Sequence, residues 1–205
     1  MCKICKNETI VKQIGKIMYH YCEKCGFLSK DEDHILSSED ELLRYQQHNN
    51  NTNDSYVKYQ ENFYKEIAPF LGENVLDFGC GDNHVLADII NKNNKKSDYY
   101  DLYFYPNKNY KKHLYDAIIL EEVIEHLKDP IDIINQLISN LKVGGKFIIR
   151  TMMIPTDVFT SNWWYLRDST HISFFDIKTF ETICELLDLK IIYFNDKDLI
   201  ILQKA

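Results

Sequence analysis

The run Asn74-Val75-Leu76-Asp77-Phe78 leads directly into Gly79-Cys80-Gly81-Asp82-Asn83, and an apolar stretch follows from Val85 to Ile90. A short apolar run bounded by glycine reads as a buried strand, and the stretch after it reads as a helix. No other pattern constrains the chain as much. A buried strand that feeds a helix through a glycine turn belongs to a parallel sheet with a ligand cradle at its carboxyl edge. The glycines let the backbone approach a ligand closely. A dinucleotide fingerprint wants a third glycine where His84 stands, which argues against a pyrophosphate. Asp77, at the strand end, also repels phosphate and suits a cationic or amine-bearing ligand.

The alternation continues. Tyr99 to Phe104 reads as the next strand, and Asp101 falls twenty residues after Gly81, where an acid grips ribose hydroxyls. Tyr115 to Leu120 is a third strand and runs into Glu121-Glu122-Val123-Ile124-Glu125-His126. Asp129-Pro130 caps a helix expected to reach Leu141. Gly144-Gly145 is expected to end that helix and open a strand from Lys146 to Met152. Asp176 starts a helix carrying Phe180, Ile183, Cys184 and Leu187. Lys190 to Phe194 and Leu199 to Gln203 close the chain as a hairpin. The order predicts an α/β fold: a Rossmann-like, doubly wound, mostly parallel sheet with a C-terminal antiparallel hairpin over residues 74–205.

Four of the six cysteines form two pairs, Cys2-x-x-Cys5 and Cys22-x-x-Cys25, sixteen residues apart. No apolar leader precedes them and no apolar run could span a bilayer. A cytoplasmic, reducing setting is therefore expected, where such pairs bind metal rather than form disulfides. The spacing predicts a tetrahedral four-thiolate zinc site, closed and structural. Gly15 supplies a turn between loosely alternating segments, so residues 1–30 read as a small zinc ribbon. Six lysines against two glutamates make it basic. The whole chain carries a formal charge of −7, which opposes a life on bulk nucleic acid or an anionic membrane.

Residues 31–73 read as a helical connector. Ser38-x-x-Glu41 is a capping box for a first helix bearing Arg44, Tyr45 and His48, which could point into an acceptor pocket or lie on a solvated face. The asparagine-rich run from Asn49 to Asp54 breaks it. Tyr56, Tyr59, Phe63, Ile67 and Phe70 then follow at spacings of three or four, as one largely buried stripe.

VLDFGCGDN, YDLYF, YDAIILEEVIEHLKDP and LKVGGKFIIR together resemble the class I S-adenosylmethionine-dependent methyltransferases, over roughly residues 38–205. The chain is most similar to the branch with E-V-x-E-H after a strand. Within it, it resembles a bacterial group with an N-terminal CxxC ribbon, RYxxH (Arg44, Tyr45, His48) and a late aromatic motif running from Trp163 to Phe175. The resemblance implies that Asp77, Gly79, Cys80 and Gly81 line the methionine end of the cofactor. It implies that Asp101 and Leu102 hold the ribose side, and that Leu120 and Glu121 lie against the sulfonium. Only ten residues separate Phe104 from Tyr115, so the family's edge helix and strand are expected to be lost or vestigial.

Methyl transfer needs an aligned nucleophile and, for a hydroxyl, a route for its proton. Glu122, Glu125 and His126 are spaced to share one helix face, and His171 comes from a distant loop. Two carboxylates and two imidazoles could hold magnesium or manganese, which would acidify a hydroxyl. Without metal, His126 or His171 could act as general base. The competing bland reading is a dipole-favoured acidic helix start and hydrogen-bonded core histidines. Phe159, Trp163, Trp164 and Tyr165 could form a lid over the acceptor. These features favour O-methylation of a small molecule or of a glycan or lipid precursor. An RNA 2′-O-methyltransferase and a non-catalytic cofactor- or protein-binding module are the alternatives. The sequence is silent on oligomeric state.

Overall fold

The computed structural model describes residues 1–47 and 53–205; His48 and the start of the asparagine-rich run lie outside the described residues. Ten strands and five α-helices are described. They are β1 (Ile10–Ile14), β2 (Ile17–Tyr21), β3 (Leu28–Lys30), α1 (Ser38–Gln47), α2 (Asp54–Ile67), β4 (Asn74–Phe78), α3 (Val85–Lys92), β5 (Lys96–Tyr100), β6 (Tyr115–Glu121), α4 (Pro130–Ile138), β7 (Leu141–Arg150), β8 (Ser173–Phe174), α5 (Ile177–Leu187), β9 (Leu189–Phe194) and β10 (Leu199–Lys204). The main sheet has the order β5-β4-β6-β7-β10-β9. Strands β5, β4, β6 and β7 are parallel, and β10 is antiparallel to both its neighbours. Between β5 and β6 there is one 3-10 turn, Lys108–Lys112, so the sheet stops at β5.

Alternation along the central strands divides the core. Ala117 and Ile119 of β6 face a cluster containing Phe63 and Ile67 of α2 and Leu86 and Ile90 of α3. Ile118 and Leu120 face the other side, with Ile134 and Leu137 of α4 and Phe180 and Ile183 of α5. Successive strand side chains point to opposite faces, so both must be covered by helices.

Three local expectations are corrected. Strand β5 spans Lys96–Tyr100 rather than Tyr99 to Phe104. The Asp101 carboxylate accepts the backbone N–H groups of Tyr103 (2.8 Å) and Phe104 (3.0 Å), and those bonds turn the chain out of the sheet. Helix α4 stops at Ile138, and Leu141 already lies in β7. Asn140 donates to the carbonyls of Tyr110 and His113, and Gly144-Gly145 accommodate an irregular register against β6 instead of ending a helix. The cap of α1 is Ser37, whose hydroxyl accepts from the N–H of Asp40, not Ser38.

The N-terminal residues form a hairpin, β1–β2, that continues through β3 onto β8. Each cysteine pair sits on a tight turn. Lys6 N–H bonds Cys2 O and Gly26 N–H bonds Cys22 O. Lys6 and Gly26 both take left-handed φ, at 58° and 75°. A Cβ on Gly26 would meet the Asp176 carboxylate at 2.1 Å, so this position needs glycine. Among the described residues, no helix is long and apolar enough to cross a membrane.

Candidate active site

A cavity of about 850 Å³ opens at the carboxyl ends of β4, β5 and β6. Its floor is the glycine turn after β4. Gly79 has φ 86°, and a Cβ there would meet Val123 Cγ2 at 2.4 Å. Gly79 and Cys80 donate their N–H groups to Tyr100 O, and Gly81 N–H donates to Asp101 Oδ2 at 3.0 Å. The β4 and β5 ends are thereby locked to each other.

Asp77, Gly79, Cys80, Gly81, Asp101, Leu102 and Glu121 all line this cavity. Leu120 does not. It is fully buried under the sheet, because β6 alternation turns it to the α4–α5 face while Glu121 faces the cavity. Burial, followed by the charges of Glu121 and Asp101, pushes the Asp77 carboxyl up to about 8. Burial pushes Glu121 up to about 7, against the bond donated by Gln60 and the charge of Arg150. Two carboxyls held back from ionising, beside the third acid Asp101, call for a cation, and a sulfonium carrying an ammonium group is one. This strained acidity, together with a glycine turn that a Cβ would fill, fits S-adenosylmethionine.

The N-terminal helices close the same cavity. Tyr45 of α1 and Tyr56, Tyr59 and Gln60 of α2 line it. Gln60 Nε2 donates to Glu121 Oε2 at 3.0 Å. Glu41 accepts from Tyr45 (3.1 Å) and from Tyr103. The stripe on α2 is therefore divided: Phe63 and Ile67 are core, while Tyr56 and Tyr59 face the ligand space. Helical period alone does not separate these roles, since both lie on one continuous face.

After β6 the chain does not continue as a helix. Glu122 has a left-handed φ of 51°, and a single 3-10 turn covers Ile124–His126. Non-glycine residues in this region store strain and concentrate at functional sites. Glu122, Glu125 and His126 accordingly do not share a helix face. Ligand atoms of Glu125, His126 and His171 lie within 4.8 Å of one another, and Glu122 is not part of that group. The Tyr165 hydroxyl instead ties the two acids, touching Glu125 and Glu122 (3.0 Å) and lying 3.3 Å from Thr151 Oγ1. Burial, then the Glu122 charge, drives Glu125 well above the usual carboxylate range. His126 Nδ1 is 3.1 Å from Thr170 O, and His171 Nδ1 is 2.9 Å from Tyr165 O. Carbonyls accept only, so each Nδ1 donates its N–H to that carbonyl, which fixes the orientation of each ring. His126 and His171 line the cavity, and the Tyr45 ring meets His126 edge-on.

The acceptor candidates are scattered. Tyr45 lines the cavity; Arg44, Trp163, Trp164 and Tyr165 do not. Arg44 pairs with Asp168 at 3.4 Å. Trp163 packs on Phe174, Phe159 packs on Tyr21 of the ribbon, and Trp164 is 58% exposed. No lid forms from them, because the ribbon supplies an apolar face that takes up Phe159 and Trp163. Tyr165 is buried and its hydroxyl contacts Glu125 and Glu122 rather than facing the cavity.

Helices on both faces of a mostly parallel sheet, a glycine cradle after its first strand and an antiparallel final pair define the fold class of the S-adenosylmethionine-dependent methyltransferases. The chain belongs to the methyltransferase domain family, whose model matches residues 45–193. Solved structures share the fold at low identity. An O-methyltransferase family protein from Burkholderia thailandensis is 13% identical with a TM-score of 0.58; the match covers 80% of this chain and 63% of that one. A SAM-dependent methyltransferase from Archaeoglobus fulgidus is 16% identical with a TM-score of 0.55, covering 73% and 94%. An O-methyltransferase family 2 protein from Planctomyces limnophilus, in complex with apigenin, is 14% identical with a TM-score of 0.53, covering 83% and 62%. This chain thus spans about three fifths of the first and third. No curated protein matches the sequence.

Proposed function

We propose that the protein methylates a hydroxyl of a small molecule or of a glycan or lipid precursor, with His126 and His171 handling the hydroxyl. The observation that carries this is the Glu125–His126–His171 cluster, whose two histidines line the same cavity as Glu121 while Glu125 lies buried behind them. Asp77, Glu121 and Asp101 offset the positive cofactor, the glycine turn lets it lie close, and the Nε2 of a cavity-lining histidine takes the acceptor's proton as the methyl carbon is attacked. The donor set also fits a divalent cation such as magnesium or manganese, with Glu125, His126 and His171 as ligands and Glu122 linked to Glu125 through Tyr165. When bound, that cation would supply Lewis acidity to the hydroxyl.

Eight of the cavity-lining residues are aspartate or glutamate and one is lysine. Such a wall favours a neutral or cationic acceptor and opposes a polyanion, so we rank RNA second despite the same cluster. The apigenin complex of the Planctomyces limnophilus protein is consistent with a small-molecule acceptor.

Cys2, Cys5, Cys22 and Cys25 are proposed as a structural zinc site. Their sulfurs all lie within 4.8 Å of one another, with Cys2–Cys25 and Cys5–Cys22 at 3.5 Å. Tetrahedral zinc thiolates, with Zn–S near 2.3 Å, place sulfurs about 3.8 Å apart.

Titration calorimetry with S-adenosylhomocysteine, with and without magnesium or manganese after mild chelation, tests the site. Labelled-methyl transfer to neutral, cationic and RNA acceptors tests the substrate class. Absence of any magnesium or manganese binding would remove the cation; transfer to RNA alone would reverse the order of acceptors.

A further inference from the structure

Lys30 is the last residue of β3 and only 2% exposed. Lysine is almost never buried without a partner. Its ammonium donates to Ser169 O at 2.9 Å, and its backbone N–H donates to Ile172 O at 2.9 Å. Those two carbonyls bracket Thr170 and His171. Both bracketed residues serve the cluster: Thr170 O holds His126 Nδ1, and His171 is itself a member. On the far side Ile172 N–H donates to Glu125 O (2.8 Å), and Ser173 Oγ donates to Leu127 O (2.7 Å). The segment is thus held between β3 of the ribbon and the turn after β6. Asp168 fixes its start, accepting the Thr170 N–H at 3.0 Å and the Thr170 hydroxyl at 2.6 Å.

We propose that Lys30 is a positioning residue for His126 and His171, and that the four-cysteine ribbon is through it part of the methyl-transfer machinery. This rests on the proposed role of the two histidines. One ribbon residue spans four residues of the loop by using both its side chain and its backbone. A ribbon serving only to add stability has the β3–β8 pairing and the Thr179 hydroxyl bond to Cys25 O for that purpose. The ammonium is aimed at the carbonyl one peptide away from the His126 partner.

The test uses full-length protein labelled with ¹⁵N-histidine, with long-range ¹H–¹⁵N spectra recorded beside S-adenosylhomocysteine calorimetry. Lys30→Met keeps the stem and removes the donor. The expected result is loss of the Nδ1-protonated pattern at both His126 and His171, with S-adenosylhomocysteine affinity unchanged because Lys30 is outside the cofactor cavity. Where manganese binds the wild type, its affinity in this variant falls roughly tenfold, as for loss of other outer-shell support. Thr179→Val loosens the ribbon from α5 without touching the loop, and should leave both histidine patterns intact. Unchanged histidines in Lys30→Met, or equal changes in Thr179→Val, would overturn the proposal. If Lys30→Met does not fold, Lys30→Arg decides. Its larger planar head displaces Ser169 while the charge remains, so the same signals must move. Failure of wild-type manganese binding would remove the metal from the proposed function but leave the histidine readout standing.

Discussion

Ile172 donates its backbone N–H to the carbonyl of Glu125 at 2.8 Å, joining residues 47 positions apart. That bond brings the aromatic-rich loop against the turn after β6. It is the reason a glutamate and a histidine adjacent in sequence acquire a second histidine as neighbour. The site's chemistry depends on such crossings, and the loss of any one support should be measurable.

Asp77→Asn should abolish S-adenosylhomocysteine binding while making the cofactor-free protein more stable. Asp77 is pushed up to about 8 from 3.8, and Glu121 to about 7 from 4.5. Between each unfolded and folded value the folded state holds the extra proton, so stability falls as pH rises through that window. The amide of the variant carries no such penalty, and the gain, on the order of a few kcal/mol at pH 8, should shrink towards pH 4. Thermal melts across that range check it, and unchanged affinity in the variant would refute the placement of the cofactor.

Tyr165→Phe should cost about 1–3 kcal/mol, because Glu125 is fully buried and loses its hydroxyl contact. Glu125→Gln should cost far less, since a carboxyl held neutral by burial resembles an amide in charge. Chemical denaturation of both variants separates them. A Glu125→Gln loss as large as that of Tyr165→Phe would mean the carboxyl is ionised in the fold.

Gly79→Ala should destabilise by about 1–3 kcal/mol through overpacking against Val123 and the positive φ. The displaced turn should also weaken S-adenosylhomocysteine binding. Retained affinity would show that the loop is not the cofactor's floor.

Cys22→Ser should release zinc and expose residues 1–30 to protease. Elemental analysis beside limited proteolysis reads both. Full zinc content would end the four-thiolate assignment.

Much of this protein was legible in the sequence. Glycine turns and apolar alternation act locally, so they set the order of strands and helices, the N-terminal hairpin and the tight turn at Gly79 and Gly81. Set against the family it resembles, the short span between Phe104 and Tyr115 pointed to a lost or vestigial edge, and the sheet does stop at β5. Boundaries failed where a side chain took over backbone bonding, as Asp101 does at the end of β5 and Asn140 does before β7. Contacts between distant segments were decided only in three dimensions. Helix spacing promised a Glu122–Glu125–His126 face, but strain at Glu122 broke it. Periodicity placed Tyr56, Tyr59 and Phe63 on one stripe, and only the position of the sheet edge divided ligand wall from core. Nothing local in Lys30 or Tyr165 marks them, because burial and partner choice are properties of packing: the ribbon and the loop had to meet before either side chain had anything to hold.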